Sequence, residues 1–274
     1  PKPLINTFIT DDNGNPNHCS PLTMDFEATT SNATIHHWLI DGNAFDNTLS
    51  RSYTFENFTA SPTVPPKLVT FTASNTFGCS TSQTTSITVQ PYVNAEFTAD
   101  KELSCSPLDV KFTNASSLGA SLFQWYIDGV WDSSNPTLSD KSFTNTLTTL
   151  GVRTIPVRLV ASNAAGTCTD DVVKNLTVNP QSTVDFSYTD ATNLNHCSPF
   201  VTNFTSSVTN TETYQWEFGS YGASNIANPP FTFTNDDVLN VTVPVSLKTN
   251  NRFGCLNSIS KNIIIRPSVK ALFS

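Results

Sequence analysis

Apolar and polar residues alternate with a period of two over short stretches along the whole chain. This alternation is typical of strands that bury one face, and turn residues such as Pro, Gly and Asn separate the stretches. No stretch has the period of a long amphipathic helix. The pattern therefore predicts an all-β protein built from short strands.

In the middle third of the chain the alternation predicts six strands. They run approximately over residues 95–99, 109–114, 122–127, 141–144, 154–162 and 171–178. Apolar positions on either side of this region align with it: Val69 and Phe71 match Val157 and Leu159. The chain is thus expected to repeat one strand pattern.

A longer motif recurs three times and defines the repeat. It consists of Cys-Ser-Pro, then a tryptophan, then Asn-x-x-Gly with a second cysteine within two residues. The motif cysteines are Cys19 and Cys79, Cys105 and Cys168, and Cys197 and Cys255. Because the period is about ninety residues, the chain is predicted to be a tandem array of modules.

The predicted modules span residues 1–90, 91–179 and 180–266, and residues 267–274 look like the start of a fourth repeat. Each module is predicted to be a β-sandwich of the immunoglobulin-like kind, with one tryptophan in the core between its sheets. The core tryptophans are Trp38, Trp125 and Trp216. Modules joined end to end in this way would form an extended rod.

Composition narrows the classes of partner. Only 13% of the residues are charged and the formal net charge is −8. Nucleic acid or an anionic membrane would require a basic face, which 14 Lys and Arg residues do not supply here. We expect no nucleic-acid partner and no direct insertion into a membrane.

Six cysteines at repeated positions favour disulfides, because the short CxxC pairs of a zinc site are absent from the sequence. Disulfides persist in oxidising compartments. The chain is therefore expected outside the cell, as an excerpt of a longer exported protein.

Several segments resemble the PKD (polycystic-kidney-disease) domain, an immunoglobulin-like sandwich. They are Phe97 after a Pro-led linker, Ser106-Pro107-Leu108 with Val110-x-Phe112, Trp216-x-Phe218-Gly219, and Val157-x-Leu159-x-Ala161-x-Asn163-x-x-Gly166. The paired cysteines and the Asn- and Thr-rich composition are similar to PKD-like repeats in very large surface proteins of Bacteroidetes. That resemblance implies adhesins, including those of gliding cells.

The cysteine pairing has two alternatives. Pairing within modules would join Cys19 to Cys79, Cys105 to Cys168 and Cys197 to Cys255. In an immunoglobulin-like sandwich, however, the first cysteine precedes the second strand and the second cysteine follows the sixth. A strand of roughly 20 Å would then separate them, whereas a disulfide needs Cα atoms within about 7 Å. The favoured pairs are therefore Cys19–Cys168 and Cys105–Cys255, between neighbouring modules.

Catalytic and metal sites have little support in the sequence. The four histidines are His18, His36, His37 and His196, and they carry no hydrolase or metalloprotease motif. No catalytic residue, cofactor or metal is therefore predicted. Acidic residues near turns leave calcium as a weak candidate. They are Asp11, Asp12, Asp41, Asp170, Asp171, Asp236 and Asp237.

An aromatic residue follows the turn after each core tryptophan: Phe45, Trp131 and Tyr221. Exposed aromatic rings bind sugars or proteins, and buried ones pack against a neighbouring module. Both interpretations stay open for these three residues.

The favoured function is a non-enzymatic stalk or spacer of a large bacterial surface or secreted adhesin. Its partners would be the neighbouring repeats of the same chain, with a glycan or protein ligand bound by other regions. The alternative is a set of carbohydrate-binding accessory modules of a secreted polysaccharide-degrading enzyme.

Overall fold

The structure is a computed structural model that describes residues 1–146, 151–190 and 195–268. The chain divides into two compact units. Unit 1 comprises Pro1–Asp100, Lys111–Ser139 and Pro156–Lys174, and unit 2 comprises Lys101–Val110, Asp140–Ile155 and Asn175–Ser274. The first module therefore lies within unit 1 and the third within unit 2, while the second contributes to both. The three module boundaries stay a prediction.

The first module has seven strands in two sheets. The strands are β1 Leu4–Asp11, β2 Leu22–Ser31, β3 Ile35–Ile40, β4 Asn43–Asp46, β5 Ser50–Phe55, β6 Lys67–Ser74 and β7 Ser80–Ile87. One sheet has the order β1-β2-β5 and the other β4-β3-β6-β7. All neighbouring strands are antiparallel. This arrangement is an immunoglobulin-like sandwich.

Alternation along the strands places the core of the first module between its sheets. Strand β2 alternates buried and exposed residues from Leu22 to Ala28. Trp38 is fully buried, with its ring centroid 4.5 Å from that of Phe71. Its indole N–H donates a hydrogen bond to the backbone oxygen of Thr48 at 3.0 Å. The tryptophan thus fills the core without leaving its polar atom unpaired.

Nine strands belong to the second module. They are β8 Phe97–Ala99, β9 Leu103–Cys105, β10 Leu108–Val110, β11 Phe112–Asn114, β12 Leu122–Ile127, β13 Val130–Ser133, β14 Lys141–Phe143, β15 Arg153–Ser162 and β16 Thr169–Asn179. In unit 1, β8 pairs with β11, and a larger sheet runs in the order β13-β12-β15-β16. In unit 2, β10 pairs with β14, and the last residues of β16 pair in parallel with β9.

Five of the six predicted strands match observed strands closely, and the predicted strand 109–114 is divided into β10 and β11. The strands β9 and β13 are absent from the prediction. Each has only three or four residues, too few for a periodic pattern to stand out.

The third module repeats the topology of the first within unit 2. Its strands are β17 Thr183–Asp190, β18 Phe200–Thr209, β19 Thr213–Phe218, β20 Ala223–Ser224, β21 Pro230–Phe233, β22 Val241–Asn250 and β23 Leu256–Ile265. A 3₁₀ helix at Gly219–Tyr221 connects β19 to β20. The sheets have the orders β17-β18-β21 and β20-β19-β22-β23, and Trp216 is fully buried between them. The described chain is therefore an all-β, tandem immunoglobulin-like array.

No helix among the described residues is long and apolar enough to cross a membrane.

Candidate functional site: the disulfide joints

The Cys-Ser-Pro segment lies at the C-terminal end of its module. In the first module, Cys19 forms a parallel bridge with Gln90, the last residue before the linker proline. Backbone hydrogen bonds from Ser20 N to Gln90 O (3.2 Å) and from Gln90 N to His18 O (2.8 Å) hold the two segments together. Cys105 pairs in the same way with Asn179, and Cys197 with Arg266. The first motif cysteine therefore marks the end from which the chain leaves each module.

A buried asparagine locks this segment to the last strand of the module. The Ser20 hydroxyl accepts a hydrogen bond from the Asn57 backbone N–H at 2.8 Å, and the Asn57 side chain donates to Val89 O at 2.9 Å. The arrangement recurs in the other modules as Ser106–Asn145–Val178 and Ser198–Asn235–Ile265. These asparagines are buried. Their hydrogen bonds connect three segments that are far apart in sequence.

These asparagines are not among the residues predicted from the sequence. A signal is present, since each ends a Phe-x-Asn triplet: Phe55 to Asn57, Phe143 to Asn145 and Phe233 to Asn235. So many Asn residues occur in the chain that the triplet does not stand out without the structure.

The Asn-x-x-Gly loop holds the second motif cysteine at the opposite end. In the second module, Asn163 Oδ1 accepts a hydrogen bond from Cys168 N at 3.2 Å, and Asn163 N donates to Cys168 O at 3.0 Å. Gly166 has a φ of 70°, in the left-handed region where glycine is preferred. The other two loops have the same bonds between Asn75 and Cys79 and between Asn251 and Cys255.

The same asparagine also contacts the chain where it enters the module. The side-chain amide of Asn163 donates to Gln90 Oε1 at 3.4 Å, and that of Asn251 donates to Pro180 O at 2.8 Å. Asn75 donates to Pro1 O at 3.1 Å. Each loop therefore lies at the N-terminal end of its module, and the asparagine couples the cysteine to the linker.

Two disulfides join these opposite ends. Cys19 bonds Cys168 with an S–S distance of 1.96 Å, and Cys105 bonds Cys255 with 2.02 Å; both have Cα atoms 5.6 Å apart. Each bond links the C-terminal end of one module to the N-terminal end of the next. These are the inter-module pairs favoured by the sequence argument. The first lies within unit 1 and the second within unit 2.

The first disulfide has a neighbouring contact across the same joint. In unit 1, the side-chain amide of Asn17 donates to Thr167 O at 3.4 Å. In unit 2, Gln181 Nε2 donates to Leu256 O, beside Cys255 and within the third module, at 2.6 Å. Cys168 and Cys255 are buried. The bonds are therefore part of packed joints, which restricts rotation of one module on the next.

The other two motif cysteines lie at the corresponding positions of the outer modules. Cys79 is an exposed free thiol in the loop at the N-terminal end of the first module. Cys197 is half-buried beside Arg266, at the C-terminal end of the third.

The three aromatic candidates do not occupy one equivalent position. Phe45 pairs with Trp38 across the sheet and packs against Tyr53, with ring centroids 6.1 Å apart. Tyr221 packs against Phe233 and donates its hydroxyl to Thr234 O at 2.8 Å. Trp131 instead pairs with Tyr126 and is 58% exposed. Phe45 and Tyr221 thus pack within their own modules, and Trp131 alone of the three faces solvent.

Three of the acidic calcium candidates have partners within the protein. Asp41 lies in the turn between β3 and β4 with a φ of 48° and pairs with Lys67 at 2.8 Å. Asp170 accepts the backbone N–H of Ala95, and Asp171 pairs with Arg158. No group of three or more His, Cys, Asp or Glu side chains among the described residues could hold a metal ion. Calcium binding and the absence of any cofactor stay predictions.

Two carboxyl groups have a pKa below the ordinary value. A hydrogen bond from Lys174, whose Nζ lies 2.6 Å away, lowers the pKa of Glu96 below its ordinary value. Lys261 lowers the pKa of Asp185 in the same way, also from 2.6 Å. Each lysine also donates to the backbone oxygen of the residue that follows its carboxylate partner. Lys174 donates to Phe97 O, and Lys261 donates to Phe186 O. These pairs fasten the first strand of a module to its last.

No family model and no curated protein match the chain. Solved structures similar to it include a 1.5-MDa bacterial ice-binding adhesin, at 10% identity and a TM-score of 0.31, with 98% of this chain and 99% of that chain covered. Three N-terminal domains of the bacteriophage RB49 outer capsid protein Hoc match at 10% identity and 0.35, covering 98% and 100%. The titin I-band fragment I67–I69 matches at 11% and 0.33, covering 99% of both chains.

Proposed function

We propose that the chain is a non-enzymatic structural segment of a large bacterial surface or secreted adhesin. The observation that carries the proposal is that each disulfide fastens one module to the next. A domain that acted alone would gain nothing from such bonds. A segment that transmits force between a binding region and the cell gains stiffness at every joint.

The order of the cysteines strengthens this interpretation. The two bonds close loops of 149 and 150 residues, and the loops interleave because Cys105 lies inside the first and Cys168 inside the second. When the ends are pulled, tension therefore passes through both bonds. The interleaving limits how far the segment can extend even when its modules unfold.

The resemblance to PKD-like repeats supports a more specific form of the proposal. In this form the segment belongs to a Bacteroidetes surface adhesin of the kind that serves attachment or gliding motility. The disulfides are typical of an oxidising compartment, which agrees with a position outside the cell. The sparse charge of the chain, 13% of residues, is compatible with this location.

Single-molecule force spectroscopy tests the proposal. In the double variant Cys105→Ser/Cys255→Ser, the remaining bond Cys19–Cys168 hides 149 residues, which is about 500 Å of extended chain. We expect a reductant to release this length in one step while the segment is held under force. A release of about 200 Å would indicate a bond within one module and would contradict the proposal.

A second experiment tests the location. An antibody against the segment should label intact cells that produce the protein, and thiol alkylation after extraction without reductant should not modify Cys168 or Cys255. Labelling only after permeabilisation would contradict an extracellular role.

A further inference from the structure

Trp131 faces solvent because of its register on the edge strand β13. It lies opposite Tyr126 on β12. The preceding residue, Trp125, is fully buried, and adjacent residues on a strand point to opposite faces, so Tyr126 and Trp131 lie on the face away from the core. A tryptophan that is 58% exposed has lost the burial that normally stabilises this side chain.

A row of side chains continues from Trp131 across unit 1. Tyr126 lies opposite Arg158 on β15, and the guanidinium carbon is 5.7 Å from the centre of the tyrosine ring. Arg158 Nε donates to Asp171 Oδ2 at 2.9 Å, so its planar group is held in one orientation. About half of each of these two charged side chains is exposed. The row therefore presents two aromatic rings and an oriented ion pair to solvent.

A groove lies beside this row on the same face. Leu122 lies opposite Ser162 and Gln124 opposite Val160. These pairs lie on the same face as the pair of Tyr126 and Arg158, because residues two apart on a strand share a face. The groove has a volume of about 490 Å³, within the range of ligand sites. The Tyr126 hydroxyl donates to Gln124 Oε1 at 3.1 Å, which joins the groove to the row.

The fold does not require these residues. In the first module the positions of Trp131 and Tyr126 are held by Ala44 and Leu39, and in the third by Ala223 and Glu217. Thr70 and Ser246 stand where the second module has Arg158. The same sheet therefore forms without exposed rings or an arginine. The row is specific to the second module.

We infer that this face of the second module binds a neutral oligosaccharide. A sugar ring presents an apolar C–H face, which stacks on exposed aromatic rings, and hydroxyl groups, which bond to the amide, hydroxyl and charged groups beside them. Arg158 is already neutralised by Asp171, and the net charge of −8 repels polyanions. Charge thus favours a neutral glycan over an acidic one.

The test uses the whole chain and a glycan array containing neutral and acidic oligosaccharides, followed by titration calorimetry with the best neutral hit. We expect neutral oligosaccharides to bind, and Trp131→Ala to weaken binding at least tenfold. The matched control is Phe77→Ala, which removes an aromatic ring that is 85% exposed in the first module. It should bind as the unmodified chain does.

A second variant, Arg158→Lys, keeps the charge but loses the planar fork, and we expect it to weaken binding while leaving the melting temperature unchanged. The inference is wrong if only acidic glycans bind, if nothing on the array binds, or if Trp131→Ala binds normally. Trp131-dependent dimerisation in analytical ultracentrifugation, without glycan binding, would also overturn it and assign the face to a second copy.

Discussion

Cys19 and Cys168 are 149 residues apart in sequence, yet their Cα atoms lie 5.6 Å apart. The joint between the first two modules is therefore closed covalently as well as by packing. The closed loop contains most of both modules, so breaking the bond frees a long segment of the unfolded chain.

Removing this bond with Cys19→Ser/Cys168→Ser should lower the free energy of unfolding by about 2–4 kcal/mol, because a long loop is no longer constrained in the unfolded state. Urea denaturation measures the change. The exposed, unbonded Cys79 supplies the control, and Cys79→Ser should stay within about 0.5 kcal/mol of the unmodified chain. Equal effects of the two changes would show that the bond does not brace the joint.

The buried asparagine lock should be among the most sensitive positions. Asn57→Ala removes the side-chain donors to Val89 O and Ser61 O, although each oxygen keeps one other donor. It also removes the side-chain oxygen that accepts the backbone N–H of Thr59 at 3.0 Å. We expect a loss of about 2–4 kcal/mol. Asn6→Ala removes one exposed hydrogen bond to Ser31 and should change stability by less than about 0.5 kcal/mol. If both variants melt at the same temperature, the lock is not structural.

The loop asparagine accepts a hydrogen bond from the cysteine N–H and donates one to the linker, and changing one atom of its side chain separates these two roles. Asn251→Asp keeps the oxygen that caps Cys255 N but replaces the donor to Pro180 O with a carboxylate oxygen. We expect a loss of about 1–3 kcal/mol, with faster hydrogen exchange at Ser182 in the linker and at Thr183, the first residue of β17. Asn75→Asp changes the same contact where it is exposed, to Pro1 O, and should cost less. Normal exchange at the linker of Asn251→Asp would contradict this role.

Acid should loosen the pairs of Glu96 with Lys174 and of Asp185 with Lys261. Because the folded pKa of each carboxyl is lowered from its ordinary value of 4.5 or 3.8, the stabilisation is fully present above that value. It is lost as the pH falls through the lower folded pKa. The effect is small since solvent screens both pairs.

Carbon-detected NMR titration of the carboxyl groups measures these values. Lys174→Met should raise the pKa of Glu96 towards 4.5 and leave that of Asp185 unchanged. An unchanged Glu96 would show that Lys174 is not the cause of the shift.

Iodide quenching should detect a single accessible tryptophan. Trp38, Trp125 and Trp216 are fully buried, and Trp131 is exposed. Trp131→Phe is therefore expected to remove the quenched part of the fluorescence, whereas Trp38→Phe should leave it. Quenching that survives Trp131→Phe would show that one of the other three tryptophans is accessible, and would contradict their burial.

Local patterns were sufficient for part of this architecture. Period-two alternation predicted most strands, because each strand buries one face, and the repeated motif predicted similar modules, because similar segments fold alike. The placement of the two motif cysteines at opposite ends of a module also followed from the strand order of a sandwich. The asparagine lock and the strands β9 and β13 did not, since a few residues carry no period.

The sequence by itself determined the strand pattern, the core tryptophans and the two candidate schemes of cysteine pairing. Only the tertiary structure decided which cysteines lie within bonding distance and which way Trp131 faces. Both Trp131 and Phe45 follow an Asp-Gly turn, but Trp131 is two residues after Gly129 and Phe45 is three residues after Gly42. Phe45 lies opposite Trp38 and Trp131 opposite Tyr126. A shift of one residue in a strand reverses the face on which a side chain lies, and register is set by pairing with distant strands.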